Sequence, residues 1–545
     1  MTEKTTVAAT ASAAADDTIE HVPVLVVGGG PVGLSTALFL TRHGIKPLLV
    51  ERREATSRLP RAPGIQARTL ELFRSAGLER EIRALEMGNT RPYFEGGILR
   101  TRTLAEIDRA EVVEAPSLDG PDISPVTIMG CGQDRYERVL LEHARDAGAT
   151  ALFRTELVDL EQDAEGVTAL LRSLDDGSER RVRADYVVAA DGASSPIRRR
   201  LGISQHGRGT VFHALSIYFR APRLEEVMHG RKFILCYATG GPTTMTLSRL
   251  HGCDPWAGAA LYDPERESPA DFTTERCVQV VRDASGVPDL DVEIVATVPW
   301  EGAQRVADTF RVGRVFLAGD AGHVHPPAGG FGANTGIHDG HNLAWKLAAV
   351  LRGWAHDGLL DSYDAERRPL GSAMAEQALL RNRIRHGLAP DGDQDRMVDD
   401  IVVTLGYRYT SSAVAGPAHA APLLPGLDLS GAPGTRAPHV WLRRGDERIS
   451  TLDLFSDAFT LLTADGRWCD VGDAVAARTP VPLRSHLVGR DGLVEDGADW
   501  AACYGVSRKG AVLVRPDGFV AWRSPDGGED DPEAALLEVL TRLVS

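Results

Sequence analysis

The sequence predicts an α/β protein: a Rossmann-like dinucleotide-binding domain, a β-sheet domain inserted into it, and a smaller domain at the C-terminal end. Three observations carry this. The apolar run Val22-Pro23-Val24-Leu25-Val26-Val27 leads directly into Gly28-Gly29-Gly30-Pro31-Val32-Gly33. Far downstream, Leu317-Ala318-Gly319-Asp320 is followed by Pro326-Pro327 and a Gly-rich stretch. Between them, several segments have the length and composition of strands. The first two segments suit the two ends of one dinucleotide, which would pin distant parts of the chain together.

Taken in order, the Val-rich run reads as a buried parallel strand. Gly28 permits the tight turn, Gly30 lets the backbone approach a pyrophosphate, and Gly33 lets the helix pack on the strand, with Pro31 and Val32 completing the loop. The helix runs through Leu34, Ala37, Leu38 and Leu40 and stops at His43-Gly44. Residues 46–50 form the next strand, ended by Glu51 at the ~20-residue spacing of an acid that binds ribose hydroxyls. Arg52 and Arg53 leave NADP open, because arginine binds a 2′-phosphate, but Glu51 would repel that phosphate. FAD, with a free 2′-hydroxyl, suits Glu51 better. Residues 185–190 are another buried strand, ending in Asp191-Gly192, with Ser194 and Ser195 capping a helix and Arg198 beyond. The strand at 314–318 is closed by Asp320, and Pro326-Pro327 fixes a rigid loop. Gly329, Gly330 and Gly332 let backbone lie against a flat ring. A helix is predicted from about Ala333, with Ile337, Ala344, Leu347, Ala348 and Leu351 on one face and unpaired N–H groups at its start. His323 and His325 lie on this loop without a third metal ligand at a recognised spacing, so no metal is expected. Loop hydrogen bonding or a proton relay suits them instead.

With these segments in hand, the chain resembles the class A flavoprotein monooxygenases of the para-hydroxybenzoate hydroxylase fold. Within that group it is most similar to aromatic-polyketide hydroxylases such as aklavinone hydroxylase, and to phenol hydroxylases. The resemblance spans roughly residues 21–380, with a fainter match at the C-terminal end. It implies FAD as cofactor, with NADPH or NADH as transient reductant and O₂ and a small aromatic molecule as co-substrates. It places Asp191 and Gly192 near the pyrophosphate and Asp320 on a ribityl hydroxyl. The backbone of Ala333 and Asn334 would meet the flavin N1/C2=O edge, where a helix N-terminus stabilises the reduced anion. Arg61 stands where the family has an arginine near the pyrophosphate and nicotinamide cofactor, and Gln133 where it has a glutamine on FAD. Gly322 departs from the usual alanine. No catalytic residue is assigned; Pro327 and His323 line the flavin loop.

The implied activity is hydroxylation of a polycyclic, polyketide-type aromatic through a flavin C4a-hydroperoxide. Baeyer–Villiger or other oxidative rearrangement of a ketone or quinone, and hydroxylation of a simple phenol, stay open. A flavin halogenase would carry W-x-W-x-I-P, which is absent, and a flavin scaffold without turnover sits poorly with intact Asp191, Asp320 and Gly332.

The expected FAD-binding domain is discontinuous, at 20–95, 125–205 and 305–395. Residues 96–124 and 206–304 form the substrate-binding sheet domain, with strands near 211–219, 233–237 and 243–247. Phe212, Tyr218, Phe233, Tyr237, Met245 and Leu247 are its candidate pocket residues, although strand alternation points about half of any such set away. Residues 376–415 read as helices. A helical connection and linker cover 396–424, Pro/Gly-rich from 416 onward. Strands at 458–462, 510–515 and 519–523 and a helix at 532–543 resemble the thioredoxin-like tail of these hydroxylases, placed at 425–545. Cys469 lacks a C-x-x-C partner, so this domain reads as structural.

A net charge of −16 argues against nucleic acid and anionic membrane surfaces. No run approaches the ~18 apolar residues of a membrane span. Residues 1–19 read as a disordered tail rather than a signal peptide. Six scattered cysteines fit a reducing cytoplasm. Arginine so far outnumbers lysine that a high-GC bacterial source is expected. Oligomeric state is not legible.

Overall fold

The computed structural model describes residues 19–545 apart from 62, 87, 116–122, 249–254, 391 and 490–491. The tail expected at 1–19 thus lies outside the described residues except for Ile19, as do Arg249 and Cys253.

Five strands align in parallel in the first sheet, in the spatial order Val315–Leu317, Glu179–Ala189, Glu20–Val27, Leu48–Glu51 and Thr150–Phe153. Their cores are apolar on both faces, as a parallel sheet covered by helices requires. Helices Pro31–Arg42 and Phe331–Leu351 pack together. Pro31 sits in the first turn of its helix, where its missing N–H costs nothing. The long helix starts at Phe331, two residues ahead of the sequence expectation.

Eight strands make the second sheet, running from His323–Val324 through Glu293–Ala307, Gln205–Arg220, Trp256–Tyr262, Met245–Ser248, Leu235–Ala238 and Ile98–Thr101 to Glu111–Glu114. Helix Thr274–Ser285 covers one face with Cys277, Val280, Val281 and Ala284, against Leu215, Ile217 and Phe219. Phe233, Met245 and Leu247 belong to this covered core and are almost fully buried, so they are not pocket residues. The reason is the two-residue alternation of strands: Met245 and Leu247 share one face, and it is the helix face. Phe212, Ser216, Tyr218 and Tyr237 alternate onto the opposite face, with Trp300 beside Phe212. The terminal strand His323–Val324 comes from the Gly-Asp loop of the first domain and pairs with Arg305 and Val306.

The helical reading of 376–415 holds only in part. One helix ends at Arg385, short helices cover Asp393–Arg396 and Asp400–Leu405, and residues 406–415 are not helical. Gly406 ends the last helix, and Arg408 then forms a β-bridge with Thr435. The C-terminal domain is thioredoxin-like. Phe459–Thr463 and Leu483–Leu487 are parallel around helix Gly466–Ala476; Ala511–Val514 and Val520–Ser524 follow as a hairpin, and helix Pro532–Leu543 closes the unit.

Buried charge joins this domain to the first. Glu366, fully buried, accepts from Lys346 Nζ at 2.8 Å, from Arg515 Nη1 at 2.5 Å and from Ser411 Oγ at 2.6 Å, and Arg515 also reaches Asp517. Burial alone would raise the pKa of Glu366; Arg515 and Lys346 hold it well below the carboxylate range. Burial lowers Lys346 to about 8 against the pull of Glu366. Nearby, Glu71 binds both Arg68 and Arg436. Removing one partner from such a group strands a buried charge, at about 3–5 kcal/mol. Glu366→Gln is therefore expected to lower the urea midpoint of the C-terminal domain, followed by tryptophan fluorescence, by an amount matching that cost. An unchanged midpoint would show that the network contributes nothing to docking.

Candidate functional site

A cleft of about 720 Å³ opens where the parallel strands of the first sheet end. Gly28 has φ +114°, and a Cβ there would lie 2.2 Å from the carbonyl oxygen of Ala190, so the turn after strand Glu20–Val27 and the end of strand Glu179–Ala189 approach closely through this glycine. A Cβ at Gly33 would lie 1.8 Å from the Gly28 carbonyl; Gly33 lies behind the loop and not in the cleft. Gly30 and Gly332 face open space.

Of the residues singled out in the sequence, the structure brings Gly28, Gly30, Pro31, Val32, Glu51, Arg52, Arg61, Gln133, Asp191, Gly192, Asp320, Pro327, Gly330, Gly332 and Ala333 to one cleft. Gly33, Gly329 and Asn334 lie outside its lining. Asn334 turns inward: its Oδ1 accepts from Gln66 N and Thr69 Oγ1, and its Nδ2 donates to Gly64 O and Gly330 O. It is a clamp that holds the start of the long helix. His323 is also displaced from the lining. It is fully buried, and His325 reaches the cleft in its stead.

Each polar wall has a definite state. Glu51 Oε2 accepts from Gly29 N at 2.6 Å and Oε1 from Arg53 N at 2.8 Å, which fixes the carboxylate while leaving lone pairs toward the cleft. Asp191 Oδ2 accepts from Ile197 N, whereas Oδ1 is buried without a partner. Burial pushes the Asp191 carboxyl above its ordinary pKa. Asp320 is open to the cleft, and desolvation deep in the molecule raises its pKa against the opposing effect of His323. Arg52, Arg53 and Arg61 form no salt bridge among the described residues. Gln133 begins helix Gln133–Asp146 and donates to Glu137.

A residue that sequence reasoning missed organises the loop. Asp339 accepts from Gly319 N at 2.9 Å, His323 Nε2 at 2.6 Å and Arg367 Nε at 2.6 Å, all fully buried. Burial would raise its pKa, but Arg367 and His323 hold it well below the carboxylate range. The signal was present: Asp339 and Lys346 are the two Asp/Glu/Lys/Arg residues in helix Phe331–Leu351, and buried charges are almost always paired.

The donor set fits an anionic dinucleotide. Arg52, Arg53 and Arg61, which form no salt bridge among the described residues, line the cleft and suit two phosphates; open space flanks Gly30, and Asp191 Oδ1 is buried without a partner, where a hydroxyl or an N–H would satisfy it. Comparison with known proteins agrees. Residues 21–378 match the FAD binding domain family, and residues 430–545 match the aromatic-ring hydroxylase C-terminal family. Tetracenomycin A2 monooxygenase-dioxygenase of Streptomyces glaucescens is 44% identical over 96% of this chain and 97% of its own. Aklavinone 12-hydroxylase of Streptomyces purpurascens is 40% identical over 96% and 99%. The crystal structure of aklavinone-11 hydroxylase in a ternary complex with FAD and aklavinone superposes with a TM-score of 0.87 at 38% identity, covering 96% of this chain and 99% of that one. The chain belongs to the FAD-dependent aromatic-ring hydroxylases and is a flavoprotein monooxygenase.

Asp320→Ala should weaken FAD binding without unfolding the domain. A charge-assisted hydrogen bond contributes about 1.5–3 kcal/mol, or roughly ten- to hundredfold in Kd. Titration of the apoprotein with FAD measures it; unchanged affinity would remove Asp320 from the site.

Proposed function

We propose that this monooxygenase uses NADPH or NADH and O₂ to hydroxylate a polycyclic phenol or quinone of the polyketide type, in the bacterial cytoplasm. The observation that carries this is the aromatic face of the second sheet. Phe212 and Trp300 meet edge-to-face at 5.4 Å, Trp300 Nε1 donates to Ser216 Oγ, and Tyr218 and Tyr237 lie on the same face. The Tyr218 phenol lies in the field of Arg61 and Asp134, on the side of the cleft. The relatives named above act on tetracenomycin and aklavinone by their names, which supports the same substrate class here. A single-ring acid would want an arginine clamp near this sheet. Of the candidates read from the sequence, Arg220 pairs with Glu293 at the surface, Arg223 is exposed, and Arg249 lies outside the described residues; of the arginines the fold brings to this face, Arg385 is paired with Glu114 and Arg100 donates to the carbonyls of Ile384 and Arg385.

In this reading Gly28, Gly30, Pro31, Val32, Arg52 and Arg61 hold the pyrophosphate and its ribose together with Glu51. Asp191, Gly192 and Gln133 flank that half, and Asp320 takes a ribityl hydroxyl. Bound there, FAD supplies two-electron reduction by the nicotinamide cofactor and activation of O₂. Pro327, Gly330, Gly332 and Ala333 present backbone to the ring, and the N–H groups at the start of helix Phe331–Leu351 lie beside developing negative charge. The sheet excludes water and sets the substrate's orientation. The proposed boundaries are those expected from the sequence: a discontinuous FAD-binding domain, an inserted sheet domain, and a thioredoxin-like domain from 425 that performs no chemistry.

Two measurements follow. Coupled turnover on para-hydroxybenzoate, phenol and a tricyclic or tetracyclic phenol should give hydroxylated product only with the polycyclic compounds. Efficient hydroxylation of the small acids, with polycyclic phenols inert, would sink the reading. Cys469→Ser should leave turnover intact. Burial and the neighbouring Asp473, Asp470 and Asp465 raise this thiol's pKa, the reverse of what a redox thiol needs. A large loss at normal FAD content would revive a redox role for the domain.

A further inference from the structure

His386 follows the last residue of helix Asp361–Arg385, at the point where that helix crosses the aromatic face of the second sheet. Its ring lies edge-on to Tyr237 at 5.0 Å and tilted to Phe212 at 6.2 Å. Phe212 and Trp300 continue the box. His386 is only partly buried, and its ring nitrogens make no hydrogen bond among the described residues. They are not sealed from solvent, unlike Nδ1 of His325. The other buried histidines are committed or remote from this face: His323 to Asp339, His338 to Thr69, His439 to Ser450. His213 alternates onto the helix-covered face, against Tyr262. Among the described residues, a free imidazole in an aromatic box is thus found at His386.

We propose that His386 is the base that takes the phenolic proton of the substrate held in this box. The inference rests on the reading that the substrate is a polycyclic phenol. The phenol O–H bond breaks, an N–H bond forms on the ring, and the electron pair stays on oxygen. The aromatic ring becomes more electron-rich toward an electrophilic oxygen donor, and the imidazolium later returns the proton to the product or to water. No oxidant or reductant enters this step.

The surroundings keep the imidazole able to accept. Burial lowers its pKa, and Arg100 and Arg385 add to that, so the ring is unprotonated before substrate arrives; the same shift makes it a weaker base, and the attraction between the imidazolium and the phenolate it leaves behind offsets that loss. The groups facing it are Arg385 at the end of its own helix, Arg100 on strand Ile98–Thr101, Tyr237 on Leu235–Ala238, and Glu114 on Glu111–Glu114, which pairs with Arg385 at 2.7 Å. The Arg100 guanidinium donates to the carbonyls of Ile384 and Arg385 and so fixes the chain just ahead of His386. Tyr237 is a poor rival, because burial raises its pKa and keeps its phenol protonated. The two cations also favour a phenolate beside them.

The test uses the FAD-loaded full chain and 2-hydroxyanthraquinone, whose phenolate absorbs at longer wavelength than its phenol. Bound to wild type, the phenolate band should appear at a pH about one unit or more below that found with His386→Phe or His386→Gln. The kcat for its NADPH-dependent conversion should fall about 10²-fold or more in both variants, at unchanged FAD content. His386→Phe keeps the aromatic packing and His386→Gln keeps a hydrogen bond, so a packing or orienting role predicts that one of them is rescued. Equal ionisation pH in all three proteins, or a loss confined to KM, overturns the proposal while leaving the substrate class intact. Failure of the dye to bind wild type at all overturns the substrate reading, and this inference with it.

Discussion

The cleft depends on one buried carboxylate. Asp339 sits inside a helix, out of reach of water, and is shared by a backbone N–H and a histidine from the segment 319–323 and by an arginine from a second helix. Gly319 N belongs to the turn that presents Asp320; Arg367 belongs to helix Asp361–Arg385 and also donates to Thr335 O and Tyr409 Oη. A buried ion is tolerable only when every lone pair is met, and here the meeting places are the loop, the sheet strand and the crossing helix. The position of the turn is thereby fixed by charge rather than by packing alone.

The same logic joins the C-terminal domain. Glu366, Lys346, Arg515 and Asp517 form one fully buried cluster, while Glu71 is bracketed by Arg68 and Arg436. Trp345 and Trp354 stack and meet Phe459 edge-on beside the first of these. Such networks gain little net stability over an apolar core but tolerate very few alternative registers. A domain without a dithiol is held against the long helix Phe331–Leu351, the element whose N-terminus opens into the cleft.

The cofactor cleft was legible because its signals are local. A strand, a glycine loop and a terminal acid occupy consecutive positions, and Gly28, Glu51 and Asp191 end strands whose order the βαβ pattern dictates. Which face of the second sheet stays uncovered by its helix was not legible, because alternation says that Met245 and Leu247 share a side but not which side. That choice is made by helix Thr274–Ser285, more than twenty residues downstream, and it reversed the expectation for these two and for Phe233. His386 was illegible for a related reason, and Asp339 was visible only as a charge inside a helix: the meaning of both lies in partners such as Gly319, Phe212 and Tyr237, which only the assembled fold brings near.

The strand His323–Val324 is two residues long, yet it completes the second sheet and begins three positions after Asp320. The cleft-lining Asp320 and the edge of the second sheet are therefore consecutive links of one covalent chain. A lever of that length leaves no slack: displacement of the sheet along its strands is transmitted to the carboxylate within about 10 Å of backbone. The turn that presents Asp320 and the edge strand of the second sheet are thus held in one fixed relation by the peptide bonds between residues 320 and 323.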